Sequence, residues 1–173
     1  MNKNLILVGI MGSGKTTIGM LLSKQLNMPF LDADACIEDR YGKISSLFEK
    51  GEAHFRAIET DTLREILRNT EAEEGIVLAT GGGAVLKEEN RELLKAQGLV
   101  FFLHRDLEHI IETVDCTERP LLKQGSSALR EIYENRLPYY LSASHHSIDT
   151  SGGVENAVAL IEEIWSKRGY SPE

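Results

Sequence analysis

Gly9-Ile10-Met11-Gly12-Ser13-Gly14-Lys15-Thr16 fits the pattern G-x-x-x-x-G-K-[ST]. Before it, Leu5–Val8 is a continuous apolar run, as expected of a strand covered on both faces of a parallel sheet. After it, Ile18, Leu21, Leu22 and Leu26 recur at helical spacing. Glycines between a strand and a helix let backbone N–H groups approach phosphates, and the helix N-terminus favours their charge. In that setting Lys15 reaches the β- and γ-phosphates of a nucleotide, and the Thr16 hydroxyl ligates Mg²⁺. Gly12, Ser13, Gly14, Lys15, Thr16 and Thr17 are therefore the expected phosphate-binding residues. The plain alternative is a glycine-rich turn with no ligand, and the Lys15-Thr16 pair weighs against it.

Outward from the loop, strand-like and helix-like segments alternate. Phe30-Leu31, Ile76–Ala79, Leu99–Leu103 and Ser147–Asp149 read as further strands. The spacing predicts helices over Asp34–Tyr41, Ser45–Lys50, Ala53–Arg68, Lys87–Ala96, Leu107–Val114, Ala128–Leu137 and Val154–Lys167. Pro138 falls near the end of the helix that starts at Ala128. This alternation implies an α/β fold, a parallel sheet with helices on both faces.

The bulk properties narrow the function. A chain of 173 residues suits a single domain, spanning 1–173. Its net charge is −8, from 27 acidic and 19 basic side chains, with no basic run. That argues against nucleic acid and against an anionic membrane surface. No apolar stretch approaches the roughly 20 residues of a membrane span, and the first apolar run is too short for a secretory signal. Cys36 and Cys116 make neither a disulfide framework nor a metal pattern. The expectation is a cytoplasmic protein with reduced thiols and small-molecule partners. His145-His146 reads as a surface pair sharing no partner, rather than a metal site.

The loop alone does not name a reaction, so the acceptor must be sought elsewhere. Asp32-Ala33-Asp34 ends the second strand, and ligands of open α/β sheets bind beyond the carboxyl ends of strands. Alternate strand residues point to one side, so both carboxylates can face one crevice. One can help hold Mg²⁺ and the other can accept a hydroxyl proton; the competing reading is that Asp34 caps a helix. Glu52, Arg56 and Glu59 share a helical face, where glutamate can orient the Arg56 fork towards a substrate carboxylate. A solvated salt-bridge ladder has the same spacing. Gly81-Gly82-Gly83 after the third strand permits close approach of a ligand to the backbone. Glu118-Arg119-Pro120-Leu121-Leu122 opens a polar stretch of lid length, and a lid arginine can neutralise a transferring phosphoryl group. Arg136 reads as lying at a helix end, where it could also complement the helix dipole.

In this order the motifs resemble those of shikimate kinases over nearly the whole chain. The phosphate loop is generic. The specific set is Asp32-x-Asp34, Gly51-Glu52-x-x-Phe55-Arg56, Gly81-Gly82-Gly83, Arg119-Pro120-Leu121-Leu122 and Arg136-x-Pro138-x-Tyr140. The resemblance implies a three-layer P-loop kinase fold, nucleoside-monophosphate-kinase-like, with a five-stranded parallel sheet in order 2-3-1-4-5. It implies substrate-binding helices over about 34–62 and a mobile lid over about 112–127. It implies ATP-dependent phosphorylation of the shikimate 3-hydroxyl, giving shikimate 3-phosphate and ADP, on the route to chorismate and the aromatic amino acids.

By the same resemblance, Asp34 binds the ring hydroxyls and acts as, or orients, the base. Arg56 and Arg136 clamp the shikimate carboxylate, Glu59 holds Arg56, and Gly81, Gly82 and Gly83 back the ring. Phe48 and Phe55 wall the pocket. Thr16 and Asp32 hold one Mg²⁺ per subunit, Asp32 through water. Lys15 and Arg119 act on the ATP phosphates, and a monomer is expected. One stretch departs from the family pattern, which places a second arginine shortly before Arg119, against the adenine. Here Leu107 to Glu118 holds four acidic residues and no arginine. The Ser151-Gly152-Gly153 turn matches the family's other adenine-side loop only weakly. Two alternatives stay open at this point: a related kinase acting on gluconate or a nucleotide, and a non-catalytic nucleotide-binding regulator of the same fold.

Overall fold

Strand β1 (Asn4–Val8) is the centre of the molecule, buried at every residue. A computed structural model of the chain describes residues 3–70, 74–113 and 126–169. β1 pairs in parallel with β3 (Val77–Ala79) on one side and β4 (Gly98–His104) on the other. β2 (Phe30–Asp32) lies outside β3, and β5 (His146–Asp149) lies outside β4. The sheet is five-stranded, in the order β2-β3-β1-β4-β5, as the family resemblance implies. Asn4 ties three strand entries together. Its Nδ2 donates to the Gln97 carbonyl at 2.8 Å, and its Oδ1 accepts from the Ile76 N–H at 3.1 Å.

Period-two alternation along the strands divides the core. Leu5, Leu7, Val77, Phe101 and Leu103 face α1 (Lys15–Leu26) and α8 (Val154–Lys167), packing on Ile18, Leu22, Ile161 and Trp165. Ile6, Val8, Leu78, Val100 and Phe102 face α4 (Glu52–Asn69), α5 (Glu88–Gln97) and α7 (Ser126–Ala143). Leu21, expected on the buried face of α1, is 37% exposed: that stripe is narrower than the apolar spacing suggested. Two short helices, α2 (Ala33–Tyr41) and α3 (Ile44–Glu49), pack with α4 around Ile37, Leu47 and Phe55. A 3-10 turn over Ala84–Leu86 follows the three glycines, and α6 (Leu107–Thr113) follows β4.

Helix α7 corrects one expectation. It does not stop near Pro138 but continues to Ala143, so Arg136 lies in mid-helix and complements no helix end. Pro138 is exposed, so the carbonyl of Glu134 that it leaves without a helical donor faces water, where the loss costs least. Tyr140 and Ala143 beyond it are fully buried, and that burial carries the helix onward. The histidine pair lies at the surface and shares no partner among the described residues, as expected: His145 is exposed and His146 half-buried. His145 Nδ1 accepts from the Val100 N–H at 3.0 Å, and His146 stacks on Phe101 with ring centroids 5.6 Å apart. Both imidazoles are held in place, and among the described residues no group of His, Cys, Asp or Glu side chains could hold a metal ion.

Candidate functional site

The carboxyl ends of the strands bring two adjoining cavities together. The first lies on the Gly9–Thr16 loop. Gly14 takes φ +93°, a left-handed conformation open to glycine, and thereby starts α1 at Lys15. The Lys15 ammonium donates to the carbonyls of Gly9 at 2.8 Å and Ile10 at 2.9 Å, which holds it over the loop. A cavity of about 370 Å³ opens there, lined by Gly12, Gly14, Lys15, Thr16 and Thr17 of the loop. Met11, Asp32, Asp34, Thr80, Gly82 and Arg105 complete its wall. Ser13 is buried beneath the loop, and its hydroxyl has no hydrogen-bond partner among the described residues.

Asp32, not Asp34, caps α2. Its Oδ1 accepts from the N–H groups of Asp34 at 3.0 Å and Ala35 at 3.3 Å. Its Oδ2 accepts from the Thr16 hydroxyl at 2.9 Å. Asp34 is the second residue of the helix, in its first turn, so helix entry rather than strand alternation brings both carboxylates to the phosphate cavity. A hydroxyl and a carboxylate oxygen in contact at that edge suit Mg²⁺, a hard cation that takes few protein ligands beside phosphates and water.

The second cavity, about 110 Å³, is lined by Met11, Asp34, Ile44, Phe48, Phe55, Arg56, Glu59, Gly81, Gly82, Gly83 and Arg136. Arg56 is fixed from three directions. Its Nη1 donates to Glu59 Oε2 at 2.8 Å, and its Nε and Nη2 donate to Glu52 Oε1 at 3.3 and 3.1 Å. Its guanidinium carbon lies 5.6 Å from the Phe48 ring centroid and 5.1 Å from that of Phe55, rings that stack on each other at 4.5 Å. Arg56 is 7% exposed and Glu59 1%. A buried pair of this kind adds little net stability because both ions are desolvated. What it supplies is a guanidinium in one fixed place.

Burial pushes the Glu59 carboxyl above its ordinary range; Arg56 opposes that shift, and the neighbouring Asp34 charge adds to it. The second Glu59 oxygen, Oε1, is buried with no hydrogen-bond partner among the described residues.

Two of the three glycines have a steric reason. A Cβ on Gly81 would stand 2.6 Å from Asp34 Oδ1 and 2.8 Å from Glu59 Oε1. One on Gly83 would meet the Arg56 guanidinium at 2.3–2.5 Å. The Gly82 carbonyl accepts from Arg136 Nη1 at 3.1 Å and from the Tyr140 hydroxyl at 2.6 Å, one helical turn apart on α7. Burial pushes the Tyr140 phenol up to about 12, which keeps it a donor.

Asp34, Arg56, Glu59, the three glycines, Phe48, Phe55 and Arg136 thus meet in one cavity, and Lys15, Thr16, Thr17 and Asp32 meet in its neighbour. Arg119 and Cys116 lie outside the described residues, as does most of the expected lid. Sequence reading missed Arg105 and left Tyr140 as part of a motif without a role. Arg105 directly follows the apolar run of β4 at the carboxyl edge of the sheet, a position that could have marked it.

Comparison with known proteins agrees with this arrangement. The model of the shikimate kinase family matches residues 11–165. A shikimate kinase of Clostridium botulinum (strain Eklund 17B / Type B) is 41% identical over 165 residues, covering 95% of this chain and 98% of that one. A shikimate kinase of Thiobacillus denitrificans is 46% identical over 153 residues, covering 86% and 81%. The structure of shikimate kinase from Acinetobacter baumannii in complex with shikimate superposes with a TM-score of 0.84 at 39% identity, covering 95% of this chain and 91% of that one. A gluconokinase from Sinorhizobium meliloti, at 16% identity and a TM-score of 0.60, shares the fold alone. With a family model matched across most of its length and such identities over nearly all of it, this chain belongs to the shikimate kinase family.

Proposed function

We propose that this protein transfers the γ-phosphoryl group of ATP to the 3-hydroxyl of shikimate, giving shikimate 3-phosphate and ADP. The carrying observation is the place of Asp34. It lines both cavities, together with Met11 and Gly82, so its carboxylate stands where a phosphate-bearing ligand and a ligand among arginines would meet. An acceptor that brings a carboxylate and hydroxyls fits the second cavity, because guanidiniums pair with the former and carboxylates with the latter.

In this reading Arg56 and Arg136 hold the shikimate carboxylate, and the Gly81–Gly83 backbone backs the ring. Glu52 and Glu59 keep the Arg56 fork from turning. Asp34 accepts a hydrogen bond from the reacting hydroxyl, orients its lone pair towards the phosphoryl group, and takes the proton as the O–P bond forms. Lys15, released from the Gly9 and Ile10 carbonyls, pairs with the β- and γ-phosphates. Thr16 and Asp32 would hold Mg²⁺, which when bound neutralises phosphate charge. Arg119 is assigned to the ATP phosphates by its motif alone. Phosphoryl transfer asks little covalent work of the protein, so position and charge carry the rate.

ADP release in the presence of Mg-ATP, coupled to NADH oxidation, tests the proposal. Shikimate should elicit ADP well above the ATP-only rate, and gluconate and thymidylate should not. No shikimate-dependent ADP, or an equal response to gluconate, would overturn it.

A further inference from the structure

Strand β4 delivers Arg105 to the sheet edge beside the phosphate loop. The His104 carbonyl accepts from the Thr150 N–H at 2.8 Å and the Thr150 hydroxyl at 3.1 Å, which ties the ends of β4 and β5 together under it. From this base the half-buried Arg105 reaches back over the loop, and its Nη1 donates to the Gly12 carbonyl at 3.2 Å. That carbonyl is a neutral acceptor. Among the described residues no carboxylate pairs with Arg105, and a guanidinium carries five N–H donors. One such bond leaves most of its donors for a ligand.

Three cavities touch this side chain, and two of them adjoin across the phosphate loop. One is the phosphate cavity of about 370 Å³. The other, about 170 Å³, lies on the far side of the loop between Ile18, His109, Val154 and the Thr150-Ser151 turn. Gly14 and Arg105 are the residues common to both linings. Ser13, whose buried hydroxyl has no hydrogen-bond partner among the described residues, is among the residues lining that cavity. A ligand with phosphates on the loop and a nucleoside in that cavity passes between Gly14 and Arg105. A planar guanidinium suits the crossing, because its edge pairs with phosphate oxygen and its faces stack on a flat base.

We infer that Arg105 is a nucleotide-positioning residue that grips ATP and ADP where the α-phosphate joins the nucleoside. This rests on the kinase reading above. It places a nucleotide-side cation on the sheet rather than on the segment from Leu107 to Glu118, which holds no arginine.

Calorimetric titration of the whole protein with Mg-ADP and with pyrophosphate, beside steady-state kinetics, tests it on Arg105→Ala and on Arg105→Gln, which keeps a donor for Gly12. Loss of one charged contact should weaken ADP about tenfold and raise the KM for ATP about tenfold in both variants. Pyrophosphate occupies the loop without reaching the crossing, so its affinity, and the KM for shikimate, should stay within twofold. An unchanged ADP affinity overturns the inference. So does a parallel loss of pyrophosphate and ADP, which would make Arg105 a brace for the loop through Gly12. The binding arms need no turnover. A wild-type protein inactive on shikimate whose ADP affinity still depends on Arg105 would refute the acceptor assignment and uphold this one.

Discussion

Gly83→Ala isolates the fixed position of Arg56 with a single methyl group. Gly83 has φ −104° and ψ 0°, a conformation open to alanine, so the backbone need not change. The new Cβ would fall 2.3 Å from Arg56 Nη1, 2.4 Å from Nη2 and 2.5 Å from Cζ, against the 3.4 Å at which ordinary contact begins. The guanidinium must therefore retreat by about 1 Å, which disturbs the 2.8 Å bond from Nη1 to Glu59. Displacement of a binding group by about 1 Å costs on the order of 10²-fold, or about 2.7 kcal/mol. Overpacking of this size costs about 1–3 kcal/mol in stability, which leaves the protein folded. Steady-state kinetics should show kcat/KM for shikimate falling about 10²-fold while the KM for ATP changes less than threefold. In an Arg56→Ala background the same substitution should have no further effect, because the group it displaces is gone. Unchanged kcat/KM in Gly83→Ala, or an equal loss in both backgrounds, would show that the fixed place of Arg56 does not govern shikimate binding.

Three further outcomes follow from the same geometry. Burial raises the Glu59 carboxyl, which Arg56, Asp34 and Arg136 all face, so on acidification it takes up its proton at a higher pH than an ordinary glutamate. The protonated form loses its ionic hold on Arg56, so the KM for shikimate should climb as pH falls through that range; Glu59→Gln should show a high KM with that rise removed, and matching KM–pH profiles would discharge Glu59. Tyr140→Phe removes the 2.6 Å donor to Gly82 but leaves the Arg136 donor, so calorimetry should find a loss of about 1 kcal/mol and a Tm about 2–4 °C lower. Lys15→Met should abolish turnover while shikimate still binds by titration calorimetry; turnover above a tenth of wild type would remove Lys15 from the phosphates.

The parts legible in the sequence are those set by local rules. The phosphate loop carries its own context, an apolar strand before it and a helix after it. Helical spacing alone placed Glu52 and Glu59 about Arg56. The less legible parts depend on tertiary packing. Pro138 signals a helix end, yet burial of Tyr140 and Ala143 overrides it. The reason for glycine at both 81 and 83 appears only when Asp34, Glu59 and Arg56 are seen pressed against them. Asp32 and Asp34 look interchangeable along the chain; the Thr16 hydroxyl and the α2 amides that Asp32 engages set them apart. Arg105 matches no spacing rule, because its significance lies in two cavities that adjoin only in the fold.

In the proposed reaction Asp34 presents one particular hydroxyl of shikimate to the phosphates held by the loop. Two-dimensional ¹H–³¹P correlation spectroscopy of the products formed from shikimate and Mg-ATP reads that directly. One new phosphomonoester signal should appear, correlated with the ring proton at carbon 3 and growing with the ADP resonances. Phosphorus appearing only as ADP and inorganic phosphate, or correlated with the proton of another hydroxyl-bearing carbon, would contradict it.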